Sequence, residues 1–186
     1  MIIVISFLKK ISEHNMGAGK GLALVAGILT IIGTYVVAIY GIAGVSAGSG
    51  IGFILNIPTL FSNATAYATS LSIEVWLFYI LVIVFIIFLA AGLLQIISMK
   101  SRILSIFWSL FPLGVSIMFL LLGYTDLLGI KSEFFDSIFF GEQYGGIFPF
   151  ILNVGGVGGD LSLGVYLVLG GGALGLISGF MPREDY

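Results

Sequence analysis

The run Val75-Trp76-Leu77-Phe78-Tyr79-Ile80-Leu81-Val82-Ile83-Val84-Phe85-Ile86-Ile87-Phe88-Leu89-Ala90-Ala91-Gly92-Leu93-Leu94-Gln95-Ile96-Ile97-Ser98 contains no charged residue. A helix of about 20 such residues crosses a hydrocarbon core of about 30 Å. Three further uncharged stretches of comparable length lie at Gly21–Val45, Ile103–Tyr124 and Leu161–Met181. Together they predict an all-α integral membrane protein, a single domain over residues 1–186 built as a four-helix transmembrane bundle. The composition agrees: 59% of the 186 residues are hydrophobic and 9% are charged, against about 25% charged in soluble domains. Most of this surface therefore has to face the lipid bilayer.

The basic residues orient the chain. Lys9, Lys10 and Lys20 precede the first span, Lys100 and Arg102 lie between the second and third, and Arg183 follows the fourth, whereas Lys131 alone falls on the other side. Cationic side chains concentrate on the cytoplasmic side, so both termini are expected there, with the protein in the cell membrane. The loops at 46–74 and 125–160 then lie outside. Tyr40, Trp76, Tyr79, Tyr124 and Tyr166 fall at the expected outer ends and Trp108 and Phe180 near the inner ones, where amphipathic rings suit the headgroup level. The first span is too long for a signal h-region and lacks a convincing cleavage site, so it is expected to remain.

Between the spans, residues 1–16 carry an apolar run too short to cross, which reads as a helix in the inner interface. Residues 46–72 hold no charge; Ile51-Gly52-Phe53-Ile54-Leu55 suits either a dip into the membrane or packing on the bundle, and Pro58 is expected to interrupt a regular helix. Asn63-Ala64-Thr65 is a glycosylation acceptor pattern on the outer side. In the second outer loop, Leu127, Leu128, Lys131 (by its stem), Phe134, Phe135, Ile138 and Phe139 recur at helical spacing with polar residues between them, which predicts a short amphipathic helix. The aromatic residues Phe134, Phe135, Phe139 and Phe140 are the candidates there for binding a partner. Residues 89–98 also read like residues 169–178, a pattern of two helix pairs in repeat.

Several chemistries are excluded by residue type. The chain has no Cys and one His, His14, so no thiolate or mixed Cys/His metal site, no nucleophilic triad and no cofactor is expected. Gly17-Ala18-Gly19-Lys20-Gly21 lacks the hydroxyl residue and the preceding strand of a phosphate loop. Val157-Gly158-Gly159-Asp160 lacks the Thr and Tyr of a potassium filter. The span interiors offer only Thr30, Thr34, Gln95, Ser109 and Ser116 as polar groups, and ion coupling ordinarily keeps an ionisable residue at membrane depth. With a net charge of −2 and no cationic cluster, nucleic acid is not a partner. The six outer carboxylates Glu74, Asp126, Glu133, Asp136, Glu142 and Asp160 face one Lys131 and read as a solvated acidic rim.

What remains is packing. Gly171, Gly175 and Gly179 recur every four residues on the fourth span, and Ala23 and Gly27 do so on the first. Such small-residue strips let helices approach closely. The 27 glycines are about twice the average usage, which points to lateral association with further copies or other membrane subunits. Pro112 is expected to kink the third span.

This plan of two cytoplasmic ends, a first outer loop, a short inner turn and a second outer loop resembles the tetraspan, claudin-like membrane proteins. The likeness covers the whole chain and consists of topology; the Trp…Gly-Leu-Trp stretch and Cys pair of claudin-like first loops are absent from residues 46–72, so no functional residue carries over. Three functions compete: a non-enzymatic structural or accessory four-span protein, an oligomeric channel or transport subunit with its pore between copies, and an outer-face enzyme using Asp126, Glu133, Asp136 or Asp160. Thr30, Thr34, Ser109 and Ser116 around a shared axis would favour the second; a dry core holding them would remove it.

Overall fold

The computed structural model describes residues 17–42, 46–125, 134–135, 149–152 and 161–183. Four helices in it are long and apolar enough to cross a membrane. They are α1 (Ala18–Ile31), extended by a π-helical turn over Ile32–Val36, then α4 (Val75–Ile97), α5 (Arg102–Thr125) and α6 (Leu163–Phe180). Two shorter helices, α2 (Gly50–Ser62) and α3 (Ala64–Ser70), lie between α1 and α4. The expected helix at 1–16, most of the second loop and its glycine run lie outside the described residues; of the amphipathic segment only Phe134 and Phe135 are described, both helical.

The four long helices form a square in which α1, α4, α5 and α6 each pack against two neighbours, both antiparallel. A 3₁₀ turn over Ser98–Lys100 joins α4 to α5. Lys20, Lys100, Arg102 and Arg183 collect at one end of the square, called here the basic end. Side chains pointing outward are the apolar ones a lipid environment demands, among them Trp76, Ile80, Ile83, Leu93, Ile103, Phe107, Leu110 and Phe180.

The first span ends earlier than its hydropathy suggests. An uncharged run to Val45 predicts a helix throughout, yet helical geometry stops at Val36 and Val37 is extended. Residues 40–42 instead pair with residues 46–48 as a small antiparallel hairpin, Tyr40 opposite Gly48. Apolar composition cannot distinguish the two outcomes; backbone partners decide. Here the amide of Ala38 donates to Phe150 O at 2.9 Å, Ile39 to Gly48 O at 2.9 Å, Ser162 to Ile39 O at 3.0 Å and Gly164 to Ala38 O at 3.1 Å. Backbone that leaves a helix among apolar surroundings needs such internal partners.

The hairpin sends the chain back into the bundle. Gly50, at the start of α2, lies so close to Thr34 that a Cβ there would be 2.6 Å from Thr34 Cγ2 and 3.1 Å from Leu89 Cδ2. Leu89 is about 21 Å along α4 from Val75 at 1.5 Å per residue. From that depth α2 climbs beside α4 towards the other end, with Phe53 against Phe85 (5.5 Å between ring centroids) and Phe61 against Tyr79 (5.9 Å). Residues 51–57 thus pack on the bundle as the inner part of α2, filling the space that α1 vacates. Pro58 does not break it: α2 runs through to Ser62, with Pro58 on the exposed side. Similarly α5 is one helix through Pro112.

The far halves of α4 and α5 are wedged by rings. Phe134 and Phe135 are 3% and 1% exposed and insert among Phe85, Phe119 and Tyr40, Tyr40 stacking on Phe135 at 4.5 Å. At that end Tyr124 and Tyr166 share a hydrogen bond between α5 and α6.

Candidate functional site

The polar groups scattered along the spans converge on one another. Gln95, 0% exposed on α4, is the hub. Its Nε2 donates to Ser109 Oγ at 3.1 Å and to Gly171 O at 3.4 Å, and its Oε1 accepts from Thr30 Oγ1 at 2.8 Å. One amide therefore touches all four helices. Below it, Ser105 Oγ and Ser178 Oγ are 2.8 Å apart, and Ser109 Oγ donates to Ser105 O at 2.6 Å. Ser98 and Ser178 each donate to the carbonyl three residues earlier at 2.7 Å, a shared local pattern at the matching positions of residues 89–98 and 169–178.

Small residues make this convergence geometrically possible. On α6, a Cβ at Gly171 would lie 2.8 Å from Ala26 O, one at Gly175 2.6 Å from Gln95 Nε2, and one at Gly179 2.9 Å from Ile106 Cδ1. On α1, a Cβ at Gly27 would lie 2.7 Å from Gly92 O, and Ala23 is fully buried. All five residues expected at a packing face are at contacts between helices of this one chain. The glycines with open space around them are others: Gly21, Gly114 and Gly170. Spacing alone identifies a small-residue strip but not which helix covers it.

The expected partner-binding aromatics need the same correction in part. Phe134 and Phe135 are core residues, not surface ones. These two rings of the amphipathic pattern face this chain's own core. Phe139 and Phe140 lie outside the described residues. Asn63 is exposed at the junction of α2 and α3, where its side chain is sterically open to modification.

The hydroxyls expected around a shared pore axis are also inside. Thr30, Thr34, Ser109 and Ser116 are 0–1% exposed, Ser116 donating to Leu113 O at 2.9 Å. They are buried in the interior of one chain, so they do not line a surface between copies. Thr34 Oγ1 is the one exception to their satisfaction: it has no hydrogen-bond partner, and it stands where α1 is interrupted and α2 begins.

One residue of the basic end, Arg183, was not singled out by spacing. Arg183 is 9% exposed, and its Nη1 donates to Ser98 O at 2.7 Å, capping the carbonyl end of α4. Its burial, with a smaller contribution from Arg102, pulls its pKa below the usual guanidinium value. Nothing in a terminal Pro-Arg sequence announces that role. Among the described residues no three of His, Cys, Asp and Glu stand together. The carboxylates Asp126, Glu133, Asp136 and Asp160 lie outside the described residues.

On the outer surface, α4 and α5 leave a groove of about 180 Å³ lined by Leu81, Val84, Leu110, Phe111, Gly114 and Met118. Comparison with known proteins finds no family model, no curated protein and no solved structure that matches this chain.

Proposed function

We propose that this chain is a non-enzymatic accessory subunit of the cell membrane, with both termini cytoplasmic, that works by lateral association with further copies or with other membrane subunits. The observation supporting this reading is the closed interior. Its polar groups pair with one another around Gln95, leaving work to the surface. The tetraspan likeness is one of arrangement only and supplies no residue to this argument.

The contact surface consistent with this reading is the α4–α5 groove. Gly114 is exposed there with nothing near its missing side chain. In lipid, helices associate by close packing at such small residues, because apolar surface alone gives no drive. The test is the native mass of the chain in nanodiscs, for the wild type and for Gly114→Leu. A discrete oligomer or hetero-complex lost in Gly114→Leu supports the reading; a monomer in both overturns it.

A second reading rests on the interruption at Val36. A broken helix facing the start of a re-entrant one is how transport proteins expose backbone at membrane depth, and Thr34 Oγ1 is unpartnered there. The chain has no Cys, so Thr34→Cys reports cleanly. Reaction with a small charged thiol reagent would support a water path within one chain, and complete protection would remove it.

A further inference from the structure

We propose that the basic end holds a phosphate-binding site and that its occupant is the headgroup of an anionic phospholipid in the adjoining leaflet. The argument begins with Arg183. Only Nη1 of its guanidinium has an acceptor; Nε and Nη2 are buried without one. Guanidinium donors enclosed without acceptors cost stability, and a planar fork of this kind matches two phosphate oxygens.

The surroundings select an anion. Among the described residues Lys100 and Arg102 share this end with Arg183, while the one described carboxylate, Glu74, precedes α4 at the opposite end. Arg102 is exposed and near enough to act electrostatically on Arg183. The start of α1 adds to the field. Arg183 packs over it, its Cγ 3.1 Å from where a Cβ of Gly19 would be. That first turn has no acidic residue and no side-chain cap; the Gly19 amide donates to Pro182 O at 3.4 Å, and the helix dipole contributes a partial positive charge there.

Position then favours a lipid as the source. Phe180 ends α6 and Trp108 lies on the second turn of α5 from this end, and Ile97, Ile103 and Phe180 are strongly exposed beside it. Apolar exposure adjoining a cationic corner fits a molecule with acyl chains and a phosphate. The inference depends on the four helices crossing a bilayer, and it is independent of whether the α4–α5 groove binds a partner.

The test uses the full chain in neutral detergent. Native mass spectrometry counts retained lipid after exposure to phosphatidylglycerol, to phosphatidylcholine, and to inorganic phosphate alone, with the melting midpoint followed in parallel. The expected result is selective retention of phosphatidylglycerol and a raised midpoint, both diminishing with salt. A shift with inorganic phosphate equal to that with phosphatidylglycerol would keep the phosphate site but overturn the lipid as its occupant. Arg102→Gln, at an exposed position that leaves the Ser98 bond intact, should lower the phosphatidylglycerol preference several-fold. Arg183→Gln should lower it by about tenfold, as expected on losing a charged, hydrogen-bonding partner, with Arg183→Lys intermediate. Equal retention of the two lipids by the wild type, or an unchanged preference in Arg102→Gln and Arg183→Gln, overturns the proposal.

Discussion

Gly175 and Gln95 touch across the bundle so closely that a Cβ on the glycine would lie 2.6 Å from the amide nitrogen of the glutamine. That nitrogen donates to Ser109 and to the carbonyl of Gly171. The polar hub and the glycine strip are therefore one construction: the strip admits the amide, and the amide ties the strip to α4 and α5. Gly175→Ala should lower the thermal stability of the detergent-solubilised chain by about 1–3 kcal/mol, the usual cost of overpacking. Gly170→Ala, with nothing within 4 Å of the added carbon, should change stability by no more than about 1 kcal/mol. Equal effects would show that the strip is not a close contact.

Gln95→Leu removes one acceptor of Thr30, whose hydroxyl also reaches Ala26 O at 2.9 Å, and the donor to Ser109 and Gly171. Interhelical hydrogen bonds in membranes contribute about 0.6–2 kcal/mol each, so the variant should lose about 2 kcal/mol in reversible unfolding. Thr30→Val should lose less, because one bond of the set is removed. A double variant no worse than Gln95→Leu would confirm that the two act together.

Phe135 stacks on Tyr40 and meets Phe119 and Phe134 in the core. Phe135→Ala should destabilise by about 3 kcal/mol through the cavity it leaves. A surface role in partner binding would instead leave the melting midpoint in place and alter complex formation alone.

Ser72 has φ of 54° and closes α3 with its own amide donating to Thr69 O and that of Ile73 to Ala68 O. This is a helix stop that suits glycine. Ser72→Gly should raise stability by about 1 kcal/mol, since it removes the penalty of a left-handed L-residue; a loss would mean that the hydroxyl matters more than the backbone.

Orientation is open to direct reading because the chain lacks Cys. Ser70→Cys should react with an impermeant maleimide on intact cells, and Ser101→Cys only after permeabilisation. In a glycosylating host, a mass increment lost together in Asn63→Gln and Thr65→Val would report the same side. Labelling of Ser101→Cys on intact cells would invert the topology.

The four long apolar helices and the basic end could be read from the chain because they depend on local composition: an uncharged run such as residues 75–98 is long and apolar enough to cross a hydrocarbon core. The glycine spacing on α6 and the helical spacing around Phe134 were equally legible as patterns. Which surface each pattern meets was not, because contacts such as Gly171 with Ala26, Gln95 with Thr30 and Phe135 with Tyr40 join residues far apart in sequence. The end of α1 at Val36 and the passage of α2 through Pro58 belong with these. Hydropathy measures how readily a segment leaves water, whereas backbone hydrogen-bond partners, supplied here by residues 48, 150 and 161–164, determine whether that segment remains a helix.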